Sequence, residues 1–267
     1  MLTTSIKNKT CECRVCGDAS IKIFHGALLD LTVSYYECPN CHYVQTENPY
    51  WLERAYLKAI NLSDTGIMAR NIVNSRITLS TLICLKKTKG TVVDYAGGYG
   101  ILVRLLRDNG INAFWFDRYC QNLLASGFEY AQHDDVDLIT AFEAFEHFVN
   151  PPLELESLLA IAPNILLSTE IISTPTPSLG EWWYYGSHHG QHIGFFRIKT
   201  LEFLAKKYNK YLSTDGRKYH FFSENKPKLK SWNFLINRHI NRLTPLYSRL
   251  YLPSKTESDN QKLSNLP

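Results

Sequence analysis

Long apolar runs are missing from this sequence. No window approaches the roughly 18 uninterrupted apolar residues of a membrane-spanning helix, and the first residues, MLTTSIKNKTCEC, lack the apolar run of a secretory signal. The chain also has no internal repeat and no low-complexity segment. These absences argue against a transmembrane segment and predict a cytoplasmic protein.

A strong net charge is missing as well. The formal net charge is +4, and much of it lies in the last quarter, where KPKLK and NRHINRL hold no acid. This permits contact with nucleic acid without requiring it. Apolar residues such as Trp232, Phe234 and Leu243 lie among these cations, so the segment could rest on a membrane surface, although packing on the domain is favoured. The polar end, LPSKTESDNQKLSNLP, is expected to be mobile.

Disulfides are not expected, because cysteines of a cytosolic chain are more often reduced or metal-bound. The sequence has seven cysteines, four of them in the pairs CRVCG and CPNCH. Two C-x2-C turns form the tetrahedral sulfur cage that zinc prefers, and four thiolates leave no open position, so we predict a structural zinc ion. The predicted ligands are Cys13, Cys16, Cys38 and Cys41, with Cys11, His25 and His42 as alternatives.

Strand-like and helix-like segments alternate in the rest of the chain. A helical pattern runs through residues 48–87, and TVVDYA, NAFWFD, VDLITAF and NILLSTEI then read as strands separated by amphipathic helices. Such alternation is typical of a mostly parallel sheet with helices on both faces. The segments YLST and YHFFSE around DGRK predict a hairpin, and therefore an antiparallel edge.

A complete dinucleotide fingerprint is also missing from the glycine-rich loop VVDYAGGYG. Counting from Gly98, the third glycine position is Val103, and Asp94 would face a pyrophosphate unfavourably. S-adenosylmethionine has no phosphate, and its sulfonium and ammonium groups are compatible with nearby acids. The pattern of Asp94, Ala96, Gly98 and Gly100 suits this cofactor, and Asp117 is placed to accept both ribose hydroxyls.

The segments that contain and follow these residues resemble class I S-adenosylmethionine-dependent methyltransferases of the broad UbiG-like group. The resemblance rests on VVDYAGGYGILVRLLRDNG, FWFDRYCQNLLASGFE and DLITAFEAFEHFVNPP. Together with CRVCG…CPNCHYVQT and GEWWYYGSHHGQHIGFF, it extends to bacterial zinc-ribbon methyltransferases of polysaccharide and antibiotic pathways. Two departures are Ala96, where glycine is usual, and the short segment 120–135, which leaves little room for a third strand.

The resemblance implies an α/β fold with a Rossmann-like methyltransferase sheet preceded by a small zinc ribbon. It divides the chain into a zinc ribbon (1–48), a helical connector (49–90), a methyltransferase domain (91–226) and a basic C-terminal helix with a flexible tail (227–267). The predicted cofactor-binding residues are Asp94, Tyr95, Ala96, Gly97, Gly98, Gly100, Asp117, Phe142 and Glu143.

Two segments are candidates for the chemistry of methyl transfer. The segment FEAFEHF contains a Glu-x-x-Glu-His pattern, formed by Glu143, Glu146 and His147. Some members of the group that the sequence resembles hold a divalent cation with this pattern. In the alternative interpretation, these residues only stabilise the loop that follows. The segment WWYYGSHHGQHIGFF is predicted to be a substrate lid, with His192 as the main candidate base, aided by Glu146 or His147. The predicted substrate contacts are Tyr184, Tyr185 and Gln191.

Three functions remain open at this point. The favoured one is a methyltransferase acting on a small molecule or glycan. The second is a nucleic-acid methyltransferase, which the absence of an Asn-Pro-Pro-aromatic motif after the third strand disfavours. The third is an inactive zinc-ribbon adaptor, which the intact glycine loop disfavours. The acceptor, the methylated atom and the oligomeric state stay open.

Overall fold

The computed structural model describes residues 10–57, 64–132, 135–227 and 229–265. Residues 1–9 of the predicted ribbon and residues 58–63 of the predicted connector lie outside these ranges. Eleven strands form two sheets within them. The strands are β1 (Thr10–Glu12), β2 (Ala19–Leu28), β3 (Leu31–Glu37), β4 (Val44–Thr46), β5 (Thr91–Tyr95), β6 (Asn112–Phe116), β7 (Leu138–Phe142), β8 (Ile165–Ser168), β9 (Gly194–Phe195), β10 (Tyr211–Thr214) and β11 (Tyr219–Ser223).

Helices surround the larger sheet. They are α1 (Leu52–Ala55), α2 (Ile67–Leu85), α3 (Ile101–Asp108), α4 (Pro151–Ile161), α5 (Ile198–Lys207), α6 (Leu229–Ile236), α7 (Thr244–Tyr251) and α8 (Thr256–Ser264). Short 3-10 turns occur at Phe145–His147, Trp183–Tyr185 and Asn241–Leu243. Within the described ranges, no helix combines the length and the apolarity that crossing a bilayer requires.

The larger sheet confirms the predicted fold class. Its strand order is β10-β11-β8-β7-β5-β6; β8, β7, β5 and β6 run parallel, while β11 and β10 are antiparallel. The parallel strands are buried on both faces, as expected for the mostly apolar segments VVDY and LITAF. Between β6 and β7, the described residues form only one parallel bridge, from Trp115 to Glu129, so the shortened segment replaces a full strand.

The smaller sheet joins the ribbon to the body of the protein. Its order is β1-β2-β3-β4-β9, all antiparallel, and β9 comes from the segment that the sequence predicted to be a lid. Val44 pairs with Phe195, and Gln45 pairs with Gly194. The aromatic-rich segment is therefore part of the framework at this point. A two-residue strand has no periodicity of its own, which is why its pairing could not be predicted.

The C-terminal residues pack on the larger sheet's helical layer. Trp232 of α6 is fully buried, and its indole nitrogen donates a hydrogen bond to the Thr81 hydroxyl of α2 at 3.0 Å. The expected flexible tail is instead a helix in this structure: Asp259 of α8 accepts hydrogen bonds from Arg107 at 2.6 and 2.7 Å and from Arg104 at 2.8 Å. The polar composition of the segment suggested mobility, but a few buried ion pairs are enough to anchor a polar helix. The division of the chain into four parts stays a prediction.

Candidate active site and metal centre

A cavity of about 550 Å³ lies at the carboxyl ends of β5, β6 and β7. This is the edge at which open α/β sheets bind ligands, and the volume lies within the usual range for small-molecule sites. The lining comprises residues 94–99, 116–120, 142–144 and 147–150, together with Leu52, Glu53, Tyr56, Ile67, Arg70, Asn71, Asn74, Ile101, Leu102, Leu153 and Glu154. All predicted cofactor-binding residues except Gly100 line this cavity.

The glycine-rich loop passes close to the sheet. Ala96, Gly98 and Gly100 have φ values of 58°, 54° and 84°, which lie in the left-handed region that favours glycine. A Cβ on Gly97 would lie 2.7 Å from Cδ1 of Trp115, so the position has no room for a side chain. Gly100 lies beneath the loop, where a Cβ would meet Oδ1 of Asn122 at 2.5 Å. It shapes the turn into α3 but does not line the cavity.

Asp94, the second-last residue of β5, is a buried carboxyl group. Its Oδ1 accepts a hydrogen bond from the Thr140 hydroxyl at 2.7 Å. Burial raises the pKa of Asp94 to about 7, and the charge of Asp117 contributes to the increase. The residue therefore exchanges its proton near neutral pH, and a cation in the cavity would favour its ionised form.

Asp117 connects two loops at the cavity. Its Oδ2 accepts a hydrogen bond from the Gly98 amide at 2.9 Å, and its Oδ1 accepts from the amides of Tyr119 and Cys120 at 2.7 and 2.9 Å. A carboxylate oxygen can accept more than one hydrogen bond, so both oxygens keep capacity for a ligand. The side chain thus holds the glycine loop and also lines the cavity.

Acidic side chains predominate on the cavity wall. Five of them, Glu53, Asp94, Asp117, Glu143 and Glu154, face two basic ones, Arg70 and Arg118. Both basic residues form ion pairs, Arg70 with Asp64 and Arg118 with Glu154 at 3.7 Å. The potential in the cavity accordingly favours a ligand that carries positive charge.

Glu143 follows β7 in a constrained conformation. Its φ of 52° is unusual for a residue with a side chain. Its amide donates to the Ser168 hydroxyl at 3.0 Å, that hydroxyl donates to Glu143 Oε1 at 2.6 Å, and Lys218 Nζ lies 3.1 Å from the same oxygen. These contacts hold Glu143 on the cavity wall and apart from Glu146.

Glu146 lies behind the cavity wall with no exposed surface. Its Oε1 accepts a hydrogen bond from the Tyr184 hydroxyl at 2.6 Å, while its Oε2 is buried without a hydrogen-bond partner. Burial raises the pKa of Glu146 to about 8, and the charge of Glu143 adds to the increase. The carboxyl group is therefore largely protonated at neutral pH.

His147 is the only histidine among the lining residues of this cavity. Burial lowers its pKa to about 4, so the ring is neutral at physiological pH. Nδ1 of the ring is buried and has no hydrogen-bond partner, and Nε2 lies 4.0 Å from Glu146 Oε1. The neutral ring therefore contributes to the cavity wall, while its Nδ1 is shielded from solvent.

His192, the base favoured from the sequence, lies behind His147. The two rings are 4.8 Å apart between centroids and nearly perpendicular. Nδ1 of His192 is 2.5 Å from the Tyr184 carbonyl oxygen; because a carbonyl only accepts, this nitrogen carries the proton. Burial lowers the pKa of His192 to about 3, so it too is neutral. His192 does not line the cavity.

The predicted substrate contacts also lie away from the cavity. Tyr184 and Tyr185 are each 1% exposed and belong to the core beneath the smaller sheet. Gln191 is buried, and its side-chain nitrogen donates to the Ala55 carbonyl at 3.0 Å, which ties the segment to α1. The aromatic side chains were expected to form a lid because the sequence does not show which strand pairs with them. The structure places Tyr184 and Tyr185 in the framework, whereas Trp183 of the same segment is 74% exposed.

The cavity's roof was missed by sequence reasoning. It is formed by α1 and the first half of α2, through Tyr56, Arg70, Asn71 and Asn74. The ring of Tyr56 stacks on Tyr119 with centroids 5.0 Å apart, so the roof touches the loop that follows β6. The sequence signal was only the presence of polar and aromatic residues in a segment interpreted as a connector.

The four predicted cysteine ligands converge. Sγ of Cys13 lies 3.5 Å from Sγ of Cys41, Sγ of Cys16 lies 3.4 Å from Sγ of Cys38, and all four sulfurs lie within 4.8 Å of one another. A tetrahedral zinc site requires sulfurs about 3.8 Å apart. The set therefore fits one zinc ion. The Cys11 thiol instead accepts a hydrogen bond from Gln45.

A second group, Glu146, His147 and His192, brings ligand-type atoms within 4.8 Å of one another. It differs from the predicted cation set, since His192 stands in the place of Glu143. No other group of three or more such side chains converges within the described ranges.

A parallel sheet with a glycine-rich turn and two acidic residues at its carboxyl edge is the architecture of a nucleoside-cofactor enzyme. Residues 69–212, more than half of the chain, match the family model described as a methyltransferase domain. The chain therefore belongs to this methyltransferase family. No curated protein sequence matches it.

Solved structures give more distant similarities. An O-methyltransferase family protein from Burkholderia thailandensis is 13% identical, with a TM-score of 0.45 over 59% of this chain and 56% of that protein. Magnesium protoporphyrin IX methyltransferase from Synechocystis, solved with bound SAH, is 15% identical, with a TM-score of 0.43 over 65% of this chain and 93% of that protein. The chain thus spans little more than half of the first structure. At these scores the alignments establish nothing about substrate.

Proposed function

We propose that this protein transfers a methyl group from S-adenosylmethionine to a small molecule or glycan, by in-line displacement with assistance from a base. The observation that supports this most is a single cavity with the glycine loop and acidic residues on one wall and a neutral histidine, His147, on the same surface. A nucleotide sugar or polysaccharide precursor is the acceptor class implied by the sequence resemblance. A cytoplasmic location stays a prediction.

The lining residues fit S-adenosylmethionine. The cofactor's sulfonium and ammonium groups match a wall on which acids outnumber bases, and Asp94 and Asp117 supply the nearest carboxyl groups at the glycine loop. Asp117 retains acceptor capacity for two ribose hydroxyls. Gly97 lets the loop pack closely on Trp115 and Asp94, because no side chain fills that position. When bound, the cofactor supplies a methyl group activated by the positive sulfur.

His147 is the base that this arrangement favours. The ring lines the cavity in its neutral form and can take a proton from an acceptor hydroxyl or an acidic carbon as the methyl group is transferred. Its low pKa makes it a weak base in isolation. Glu146 Oε1, which accepts a hydrogen bond from Tyr184, lies 4.0 Å from His147 Nε2, so Glu146 in its ionised form would stabilise the charged ring.

His192 has a positioning role in this proposal. Its protonated Nδ1 is bound to the Tyr184 carbonyl, and its ring packs edge-on against His147. It therefore fixes the orientation of His147 from behind. We therefore propose His147 as the base in place of His192, because His147 lines the cavity and His192 does not.

The ribbon's four cysteines would hold a structural zinc ion. Four sulfur ligands fill a tetrahedral site, so the ion would have no position for substrate. Cys13, Cys38 and Cys41 are buried at the junction with the body, where the Thr200 hydroxyl donates to the Cys41 carbonyl at 2.9 Å. The ion would therefore stabilise the junction between the ribbon and the body of the protein, and it would take no part in methyl transfer.

The test separates cofactor binding from catalysis. Asp117→Asn removes a charge-assisted acceptor, and we expect S-adenosylmethionine affinity to fall about 10- to 100-fold by calorimetry. His147→Gln should bind the cofactor within about twofold of wild type. In a methyl-transfer screen over nucleotide sugars and small hydroxylated molecules, it should lose about 100-fold or more of the turnover.

The exposed His25→Gln on β2 is the matched control for His147, and it should keep full turnover. Undiminished turnover of His147→Gln would refute its role as base. Methyl transfer to RNA alone, with a steep salt dependence, would replace the small-molecule proposal with the nucleic-acid one. Absence of S-adenosylmethionine binding by the wild-type protein would support the inactive adaptor.

A further inference from the structure

One face of α7 leaves cations and leucines exposed together. Leu246, Arg249 and Leu250 lie on α7, Arg242 and Leu243 lie in the 3-10 turn just before it, and we name the five together the basic apolar surface. The three leucines are 60%, 58% and 67% exposed. This amount of exposed leucine on one short helix is unusual for a protein surface that contacts only water.

The opposite face of α7 is already packed against the domain. Thr244, Ser248 and Leu252 are buried, and the Ser248 hydroxyl donates to Asn109 at 2.7 Å. The exposed leucines therefore cannot turn inward without breaking this packing. The sequence expectation that the apolar residues of this segment pack on the domain holds for Trp232 but not for these leucines.

The charge around this surface has one sign. Residues 225–256 contain no acid but seven lysines and arginines: Lys226, Lys228, Lys230, Arg238, Arg242, Arg249 and Lys255. Of the acids on the neighbouring elements, Asp108 is paired with Arg104 and Asp259 with Arg107, while Glu257 is exposed at the start of α8. The surface itself therefore carries two exposed cations, Arg242 and Arg249, among its exposed leucines, within a stretch of sequence that has no acid.

We propose that the basic apolar surface docks the protein on a membrane that carries anionic lipids. Arginine side chains contact the lipid headgroups, while the leucines enter the boundary between headgroups and acyl chains. A second copy of this chain fits less well, because a two-fold interface would bring identical cations together. A nucleic acid offers phosphates to the arginines but no apolar layer to the leucines.

Docking in this way leaves the cavity free. Asn109 and Gly110 lie at the end of α3 that leads into β6, which is the amino-end edge of the parallel sheet, and a Cβ on Gly110 would lie 2.6 Å from the Pro253 carbonyl. The cavity occupies the opposite edge. The membrane interaction and cofactor binding are therefore independent, and either can fail without the other.

The experiment is flotation of the full chain with vesicles of phosphatidylcholine, with or without phosphatidylglycerol. We expect binding to the anionic vesicles, weakened by salt, and at least about tenfold less on neutral ones. The double variants Leu246→Asp/Leu250→Asp and Arg242→Gln/Arg249→Gln should each reduce binding about tenfold or more. Both should keep the wild-type affinity for S-adenosylmethionine, which also shows that they are folded.

Two control variants match these changes elsewhere on the surface. Ile21→Asp introduces an acid at an exposed apolar position of β2, and Lys199→Gln/Lys206→Gln removes two exposed cations of α5. Both should float like wild type. Equal binding to neutral vesicles, or equal loss in the controls, would overturn the proposal. So would a dimer that only Leu246→Asp/Leu250→Asp dissociates, or RNA binding in place of vesicle binding.

Discussion

Replacing Glu146 with glutamine tests the electrostatics behind the cavity without requiring a known acceptor. The carboxyl group has no exposed surface, and burial raises its pKa from 4.5 to about 8. Between these values the folded state holds a proton that the unfolded state has released. The wild-type protein should therefore lose stability as pH rises through this range. Glu146→Gln keeps an acceptor for the Tyr184 hydroxyl but cannot ionise.

The magnitude follows from the pKa difference. Each pKa unit is worth about 1.4 kcal/mol, so the full difference sets an upper limit of about 5 kcal/mol. Relaxation of the buried site would reduce this to on the order of 3 kcal/mol. Asp94, whose pKa is also raised, acts in the same direction, whereas His147, whose pKa is lowered, opposes it below about pH 6.5. The difference between variant and wild type removes both contributions.

The assay is urea unfolding of both proteins at a series of pH values from about 5 to about 8. The stability of Glu146→Gln relative to wild type should rise steadily over that range. Glu156→Gln, at an exposed position of α4, is the matched control, and its difference from wild type should not vary with pH. A Glu146→Gln difference that stays flat within about 0.5 kcal/mol would refute the assignment of a protonated buried carboxyl group.

Two other substitutions or treatments follow from the geometry. Gly97→Ala should weaken S-adenosylmethionine binding by about tenfold or more in calorimetry, because the added Cβ would lie 2.7 Å from Trp115 and displace the loop. Gly180→Ala is the control, since open space surrounds Gly180, and it should keep the wild-type affinity. Equal affinities of the two variants would contradict this prediction. Removal of zinc from the four-cysteine site with a chelator should lower hydrogen-exchange protection in β4 and β9, which pair with each other. Unchanged protection despite measured loss of zinc would show that the ion does not stabilise this junction.

The elements most readily predicted were those with a local signal. The paired C-x2-C turns, the alternation of strands and helices and the glycine loop all depend on residues close in sequence, and each appears where predicted. Eight of the nine predicted cofactor-binding residues line the cavity for the same reason, since they lie at the ends of consecutive parallel strands. Gly100 is the exception because it supports the loop from below.

The residues proposed to have a chemical role were harder to place. His147 and His192 are similar in type and both precede apolar segments, so the sequence does not rank them by access to the cavity. Their order depends on the pairing of β9 with β4, which draws the His192 segment into the framework and leaves His147 at the surface of the cavity. The roof residues were missed because the end of α1, at Tyr56, meets the loop after β6 only in the folded chain.

The sequence by itself determined the class of fold, the metal-binding pattern and the loop suited to S-adenosylmethionine, because these are properties of spacing along the chain. The tertiary structure alone decided which histidine reaches the cavity, which aromatic residues are core and which leucines stay exposed. These outcomes depend on contacts between distant segments, and burial then sets the protonation states. In this protein the Glu146 carboxyl group is held neutral by its surroundings, which no local pattern encodes.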